Sequence, residues 1–78
     1  MIIKILGTGC AKCKQLESNA REALNASGVH GTIEKVTTMG DILSYGVMIT
    51  PALVIDDEVK ASGKVVTKEE ILHLIQSI

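Results

Sequence analysis

The sequence contains no phenylalanine and no tryptophan, and Tyr45 is its single aromatic residue. One ring cannot build the stacking platform on which single-stranded nucleic acid is held. Charge of one sign is also missing: eight Lys and Arg against nine Asp and Glu leave a net charge of −1, which argues against binding driven by phosphate contacts. No apolar run approaches the roughly 18–20 residues of a membrane-spanning helix. The opening run, Ile2-Ile3-Lys4-Ile5-Leu6, is short and broken by Lys4, so it does not read as a signal peptide. These absences predict a cytoplasmic monomer with neither a nucleic-acid nor a membrane partner. Proline occurs once, at Pro51, and cysteine twice, at Cys10 and Cys13. In the cytoplasm two cysteines default to reactive or metal-binding thiols rather than to a structural bridge.

What is present is an ordinary globular mixture, 46% hydrophobic and 22% charged, in 78 residues. That length predicts one domain over residues 1–78. Without rings, its core must come from Ile, Leu, Val, Ala and Met. A core of this size is marginal, so regular, well-paired elements are expected.

The chain alternates strand and helix signals. Ile2 to Leu6 is apolar on both faces except at Lys4, as in a central strand. Cys10 to Ala26 has Cys13, Leu16, Ala20, Ala23 and Leu24 at helical spacing, with Gly28 as a left-handed cap. Gly31 to Val36 reads as a second strand, which the intervening helix makes parallel to the first. Thr37 or Thr38 caps a short helix, Met39 to Tyr45. Ala52 to Ile55 and Glu58 to Ser62 read as strands joined at Asp56-Asp57, and Gly63 marks a bulge or a close backbone approach. Thr67-Lys68-Glu69-Glu70 matches a capping box, followed by Ile71, Leu72, Leu74, Ile75 and Ile78 at helical spacing.

The chemistry concentrates in Gly7-Thr8-Gly9-Cys10-Ala11-Lys12-Cys13-Lys14. Gly7 and Gly9 are read as turn residues that reach positive φ without steric cost. With Cys10 as N-cap, Cys13 falls one turn into the helix. Residues three apart on a helix lie about 5–6 Å apart at Cβ, so a modest adjustment lets the sulfurs bond. The free N–H groups and positive dipole of the first turn favour a Cys10 thiolate, and Lys12 and Lys14 add charge in the same direction. Cys10 is therefore expected to be the exposed nucleophile, and Cys13, facing the sheet, the resolving thiol.

Other uses of two thiols remain. A purely structural bridge across so short a loop removes little chain entropy. Zinc wants four ligands, and His30 and His73 lack the paired spacing of a zinc site, so both are read as surface residues. A two-thiolate Cu(I) site needs only Cys10 and Cys13 and stays open. Met39 and Met48 are read as core filling rather than soft ligands. Tyr45 is expected to pack the second helix near Thr50-Pro51.

The order β-α-β-α-β-β-α, the C-x-x-C after the first strand and Thr50-Pro51 before the third resemble the small thioredoxin-like family of redox-active disulfide proteins. The matching residues are Ile3-Lys4-Ile5-Leu6-Gly7-Thr8-Gly9-Cys10-Ala11-Lys12-Cys13-Lys14, Tyr45 through Ile55, and Ser62-Gly63-Lys64 with Thr67 through Ile71. The resemblance implies an α/β minimal thioredoxin fold, a four-stranded mixed sheet flanked by three helices. It also implies a glutaredoxin-like dithiol-disulfide oxidoreductase, serving electron transport and cell redox homeostasis, with Cys10 and Cys13 catalytic. No cofactor is implied beyond the Cys10–Cys13 disulfide, and no metal. The implied partners are a disulfide-containing protein substrate and a reductase or other electron donor. A cis Thr50–Pro51 bond is implied, with Gly9, Thr50, Pro51 and Gly63 binding substrate.

The chain departs from thioredoxins and glutaredoxins in Ala11-Lys12 between the cysteines and Thr8-Gly9 before them, where those proteins carry aromatic residues or proline. No residue stands out as the buried carboxylate that thioredoxins keep near the resolving thiol. The rival readings are a soft-metal carrier and a non-catalytic binding module. Small metal carriers usually have Met two residues before the first Cys and finish on a strand; here Thr8 stands there and the chain finishes on a helix. The intact cysteine pair speaks against the binding module.

Overall fold

The computed structural model describes residues 1–76, in the order β1 (Ile2–Leu6), α1 (Ala11–Ser27), β2 (Thr32–Val36), α2 (Met39–Ser44), β3 (Ala52–Ile55), β4 (Glu58–Ser62) and α3 (Lys68–Gln76). The expected elements are all there, with ends moved by one residue. Ile78 lies outside the described residues. The sheet order is β2-β1-β3-β4. β1 runs parallel to β2 and antiparallel to β3, and β3 runs antiparallel to β4. This is the α/β mixed sheet with three helices of a minimal thioredoxin fold.

Side-chain alternation along the central strands divides the core in two. Ile3, Ile5, Leu53 and Ile55 face the layer of α1 and α3, where Leu16, Ala20, Ala23, Ile71 and Ile75 pack. Leu6, Ala52 and Val54 face the other way, onto Ile42 of α2 and onto Val47. Every residue of β3 is buried, as a strand covered on both faces requires.

Local chemistry sets the ends. Gly28 closes α1 at φ 71°. Thr67 Oγ1 accepts from the Glu70 amide at 3.2 Å and opens α3. Asp56 and Asp57 both take left-handed φ, 48° and 68°, so an Asp-Asp pair makes the tight turn usually given to Asn-Gly. Asp56 is held there from two sides: its Oδ1 accepts from Ile2 N at 2.8 Å, and its own amide donates to Ile2 O at 2.9 Å. The irregularity of the β3–β4 ladder is not at Gly63. Leu53 pairs with Ala61 and Val54 with Val59, which leaves Lys60 as the extra residue.

One ionic link joins α1 to β2. Glu17 accepts from Arg21 at 2.8 Å and lies 3.8 Å from Lys35. The Arg21 hydrogen bond, followed by the Lys35 and Arg21 charges, holds the Glu17 carboxyl below its ordinary 4.5. A carboxyl lowered on folding stabilises above its unfolded pKa, and that contribution is lost as pH falls through the folded one. Glu17→Gln should therefore lose stability at neutral pH, by up to about 1 kcal/mol. The parent and variant urea midpoints should converge as pH falls below 4.5. A constant difference down to strong acid is the contrary result.

Candidate active site

The site begins where β1 gives out. Gly7 N still donates to Val36 O at 2.9 Å, extending the parallel ladder by one bond. Gly9 then turns the chain at φ 95°. Gly7 has no positive φ; the expectation that both glycines serve the turn by left-handed geometry holds for Gly9 alone. Gly7 is there for space. A Cβ built on it would overlap Cys13 Sγ and lie 3.2 Å from Cys13 Cβ.

Cys10 is the N-cap of α1, extended at φ −68°, ψ 166°. Its Sγ accepts from Cys13 N at 3.2 Å, and its carbonyl accepts the first helical bond, from Lys14 N at 3.0 Å. The two sulfurs are bonded in a disulfide, with Cα atoms 5.0 Å apart. Cys10 is exposed. Cys13 is 5% exposed, on the same face of α1 as Leu16. One cysteine of the pair is exposed and the other is shielded by the fold.

The loop before β3 closes the other side. The Thr50–Pro51 bond is cis and Pro51 is fully buried. Thr50 Cβ lies 4.0 Å from the Cβ position of Gly7, which brings it beside Cys13. Gly63, at φ 75°, donates its amide to Pro51 O at 2.8 Å. A Cβ on Gly63 would come 2.9 Å from Ile49 Cγ2, so the close approach expected at Gly63 is real, and a side chain makes it.

Farther down the α2 face, Lys4 Nζ donates to Tyr45 Oη at 2.7 Å. That bond is the main reason the Lys4 ammonium is held above its ordinary 10.5. It ties the residue that caps α2 to the central strand. No polar or charged residue is buried among the described residues, so no buried carboxylate stands behind Cys13.

The predicted site residues thus fall at one end of the sheet. Cys10, Gly9, Lys12 and Lys14 come from the β1–α1 junction, Thr50 and Pro51 from the α2–β3 loop, and Gly63 from the end of β4. Lys12 and Lys14 are exposed, and no carboxylate lies in the first turn of α1. His30 and His73 are exposed, as expected. Met39 and Met48 are not core filling. They are 54% and 88% exposed, because Ile42 and Val47, not the methionines, take the inward positions of that segment. Sequence reasoning also missed the contact made by Gly7. The available signal was a glycine in line with Ile3 and Ile5, on the face where Cys13 lands.

A groove of about 460 Å³ between β4 and α3, lined by Ala61, Val66, Glu70 and His73 among others, includes neither sulfur. Of the two cysteines only Cys10 is exposed, at the β1–α1 junction.

A C-x-x-C disulfide at the strand-to-helix turn, facing a cis-proline loop across a four-stranded mixed sheet, defines a thiol-disulfide oxidoreductase. Residues 1–76 match the family described as "Thioredoxin domain", and the chain belongs to that family. It is 45% identical over 75 residues to a thioredoxin of Methanothermobacter thermautotrophicus, covering 96% of this chain and 97% of the relative. It is 36% identical over 77 residues to a thioredoxin of Methanocaldococcus jannaschii, covering 99% of this chain and 88% of the relative. These relationships and the paired sulfurs favour the dithiol-disulfide oxidoreductase over the soft-metal carrier. Among the described residues no three His, Cys, Asp or Glu side chains are grouped as a metal site, and no helix is long and apolar enough to cross a membrane.

Proposed function

We propose that Cys10 is the attacking thiolate and Cys13 the resolving thiol of a two-step reduction of protein disulfides, in a single cytoplasmic domain that needs no cofactor. In the first step Cys10 Sγ attacks one sulfur of the substrate disulfide. That bond breaks, the departing substrate sulfur takes up a proton, and Cys10 is left in a mixed disulfide. In the second step Cys13 gives up its proton and attacks Cys10 Sγ. The mixed disulfide breaks, the second substrate thiolate is protonated, and Cys10–Cys13 is oxidised. Two electrons and two protons pass from the protein to the substrate. A separate reductase or other donor then restores the dithiol.

The observation that carries this assignment is the asymmetry of the pair: Cys10 exposed at the N-cap, Cys13 5% exposed one turn inside. Gly9 and Gly63, both exposed glycines at the same end of the sheet, are assigned to substrate contact. Thr50 offers a backbone edge to an extended substrate segment, a short strand addition, and Pro51 has no N–H to compete for the sulfurs' hydrogen bonds.

The test is the acidity of the reduced protein. Cys10 should titrate below the ~8.5 of a free thiol, followed as thiolate absorbance against pH, because the helix start and Lys12 and Lys14 stabilise its anion. Lys12→Glu should raise the value. A Cys10 thiol at or above the free value contradicts the assignment.

A further inference from the structure

Four large apolar side chains stand apart in their exposure. Met48 is 88% exposed, Ile49 66%, Met39 54% and Leu43 52%, while Ile2, Val29 and Val59 reach only 40–44%. All four belong to α2 or to the loop that leads into Thr50-Pro51. Met39 and Leu43 are four apart on a helix and so share a face, and both are exposed while Ile42 is the buried residue of α2. Single exposed aliphatics are ordinary on a protein surface, but a group confined to one segment beside a reactive sulfur marks a contact surface. The backbone agrees: Met48, Ile49 and Thr50 have no hydrogen bonds among the described residues, whereas Gly46 and Gly63 on either side are bonded, to Leu43 O at 2.9 Å and Pro51 O at 2.8 Å.

Charge around this strip is one-sided. Segments 7–14, 37–51 and 62–64 carry Lys12, Lys14 and Lys64 against Asp41 alone, a net +2 in a chain of −1. Elsewhere four of the five cations are paired among the described residues, Arg21 and Lys35 with Glu17, Lys60 with Glu58 and Lys4 with Asp57, and Lys68 alone is not. Lys12 and Lys14 have no such partner among the described residues, and they sit where the helix dipole disfavours positive charge. Two lysines kept at an unfavourable place, unneutralised and next to the nucleophile, leave their field for whatever docks there.

From these observations, and resting on the oxidoreductase reading, we propose that the partner presents its disulfide on an extended protein segment with aliphatic neighbours and flanking Asp or Glu. The aliphatic side chains lie on Met48 and Ile49, and the carboxylates face Lys12 and Lys14. The electron balance is that of the dithiol reaction above, with the reduced protein as the donor.

Two synthetic peptides test this, each with one internal disulfide and the same Leu neighbours, one with Asp and one with Lys beside the attacked cysteine. A third probe, 2-hydroxyethyl disulfide, is neutral and small. Single-turnover rates with pre-reduced protein are divided by the rates with dithiothreitol, which removes each probe's own reactivity. The Asp peptide should be favoured at least ~10-fold at low salt, and the ratio should shrink toward one at about 0.5 M salt. Lys12→Gln with Lys14→Gln should collapse the ratio, whatever it does to the thiol itself. Met48→Ser with Ile49→Ser should slow both peptides by a larger factor than it slows the small disulfide. Equal rates for the two peptides, a preference for Lys, or a ratio that the lysine variant leaves intact overturns the proposal while the oxidoreductase reading stands. Failure to reduce any of the three probes overturns both.

Discussion

Cys13→Ser protein should accumulate as a mixed disulfide with its substrate, and Cys10→Ser protein should trap almost nothing. Both should lose turnover, on the order of 10³-fold or more, because each step needs its own sulfur. The variants fail at different points. With serine at 13, the exposed Cys10 at the helix N-cap still attacks, but nothing behind it can displace the adduct. With serine at 10, the remaining cysteine is 5% exposed and its sulfur lies against Gly7, out of reach of a bulky disulfide. Non-reducing gels of the two variants after incubation with a disulfide protein give the readout. A metal carrier makes the opposite forecast: both thiolates are ligands, both variants lose binding alike, and neither traps a partner. Equal behaviour of the two variants, with Cu(I) or Zn held by the parent against glutathione, would sink the assignment.

Period and punctuation made the element order legible from sequence. Leu16, Ala20, Ala23 and Leu24 recur on one helix face, Gly28 stops that helix, and Thr67 starts the last one; all behave as local rules require. The position of Cys10 followed from the same local logic, since an N-cap depends only on the residues around it. What stayed hidden depends on contacts distant in sequence. Asp56-Asp57 is a weak turn signal by itself, and the bonds to Ile2 that hold it come from the other end of the sheet. Met48 reads as an apolar core residue until the path of the loop is known, because a turn carries no period to say which side chain faces in. The bulge fell at Lys60 rather than at Gly63 because strand register, not residue type, decides where the extra residue goes.

Gly7→Ala should affect both the stability and the redox equilibrium of the protein, and in a linked way. The backbone at Gly7 is not left-handed, so alanine can adopt its conformation; the difficulty is volume alone. The new methyl would occupy the place of Cys13 Sγ, with Thr50 Cβ closing the space at 4.0 Å. Gly7 cannot simply withdraw, because its amide is bonded to Val36 O at the end of the β1–β2 ladder. Overpacking of this kind costs about 1–3 kcal/mol. For a domain of this size each kcal/mol lowers Tm by roughly 4–8 °C. The cost should fall unequally on the two redox states. In the dithiol, Cys13 is free to rotate its sulfur away from the methyl; in the disulfide, the bond to Cys10 holds it in place. A selective penalty of about 1–3 kcal/mol on the oxidised form would raise the reduction potential by roughly 20–65 mV, measured against a glutathione buffer. Gly40→Ala is the control. Gly40 lies in α2 with nothing within 4 Å of its Cβ position, so alanine there should be neutral or stabilise by up to about 1 kcal/mol. If Gly7→Ala matches the parent in oxidised Tm and in potential, Cys13 is not seated against Gly7, and the buried position argued for the resolving thiol is wrong.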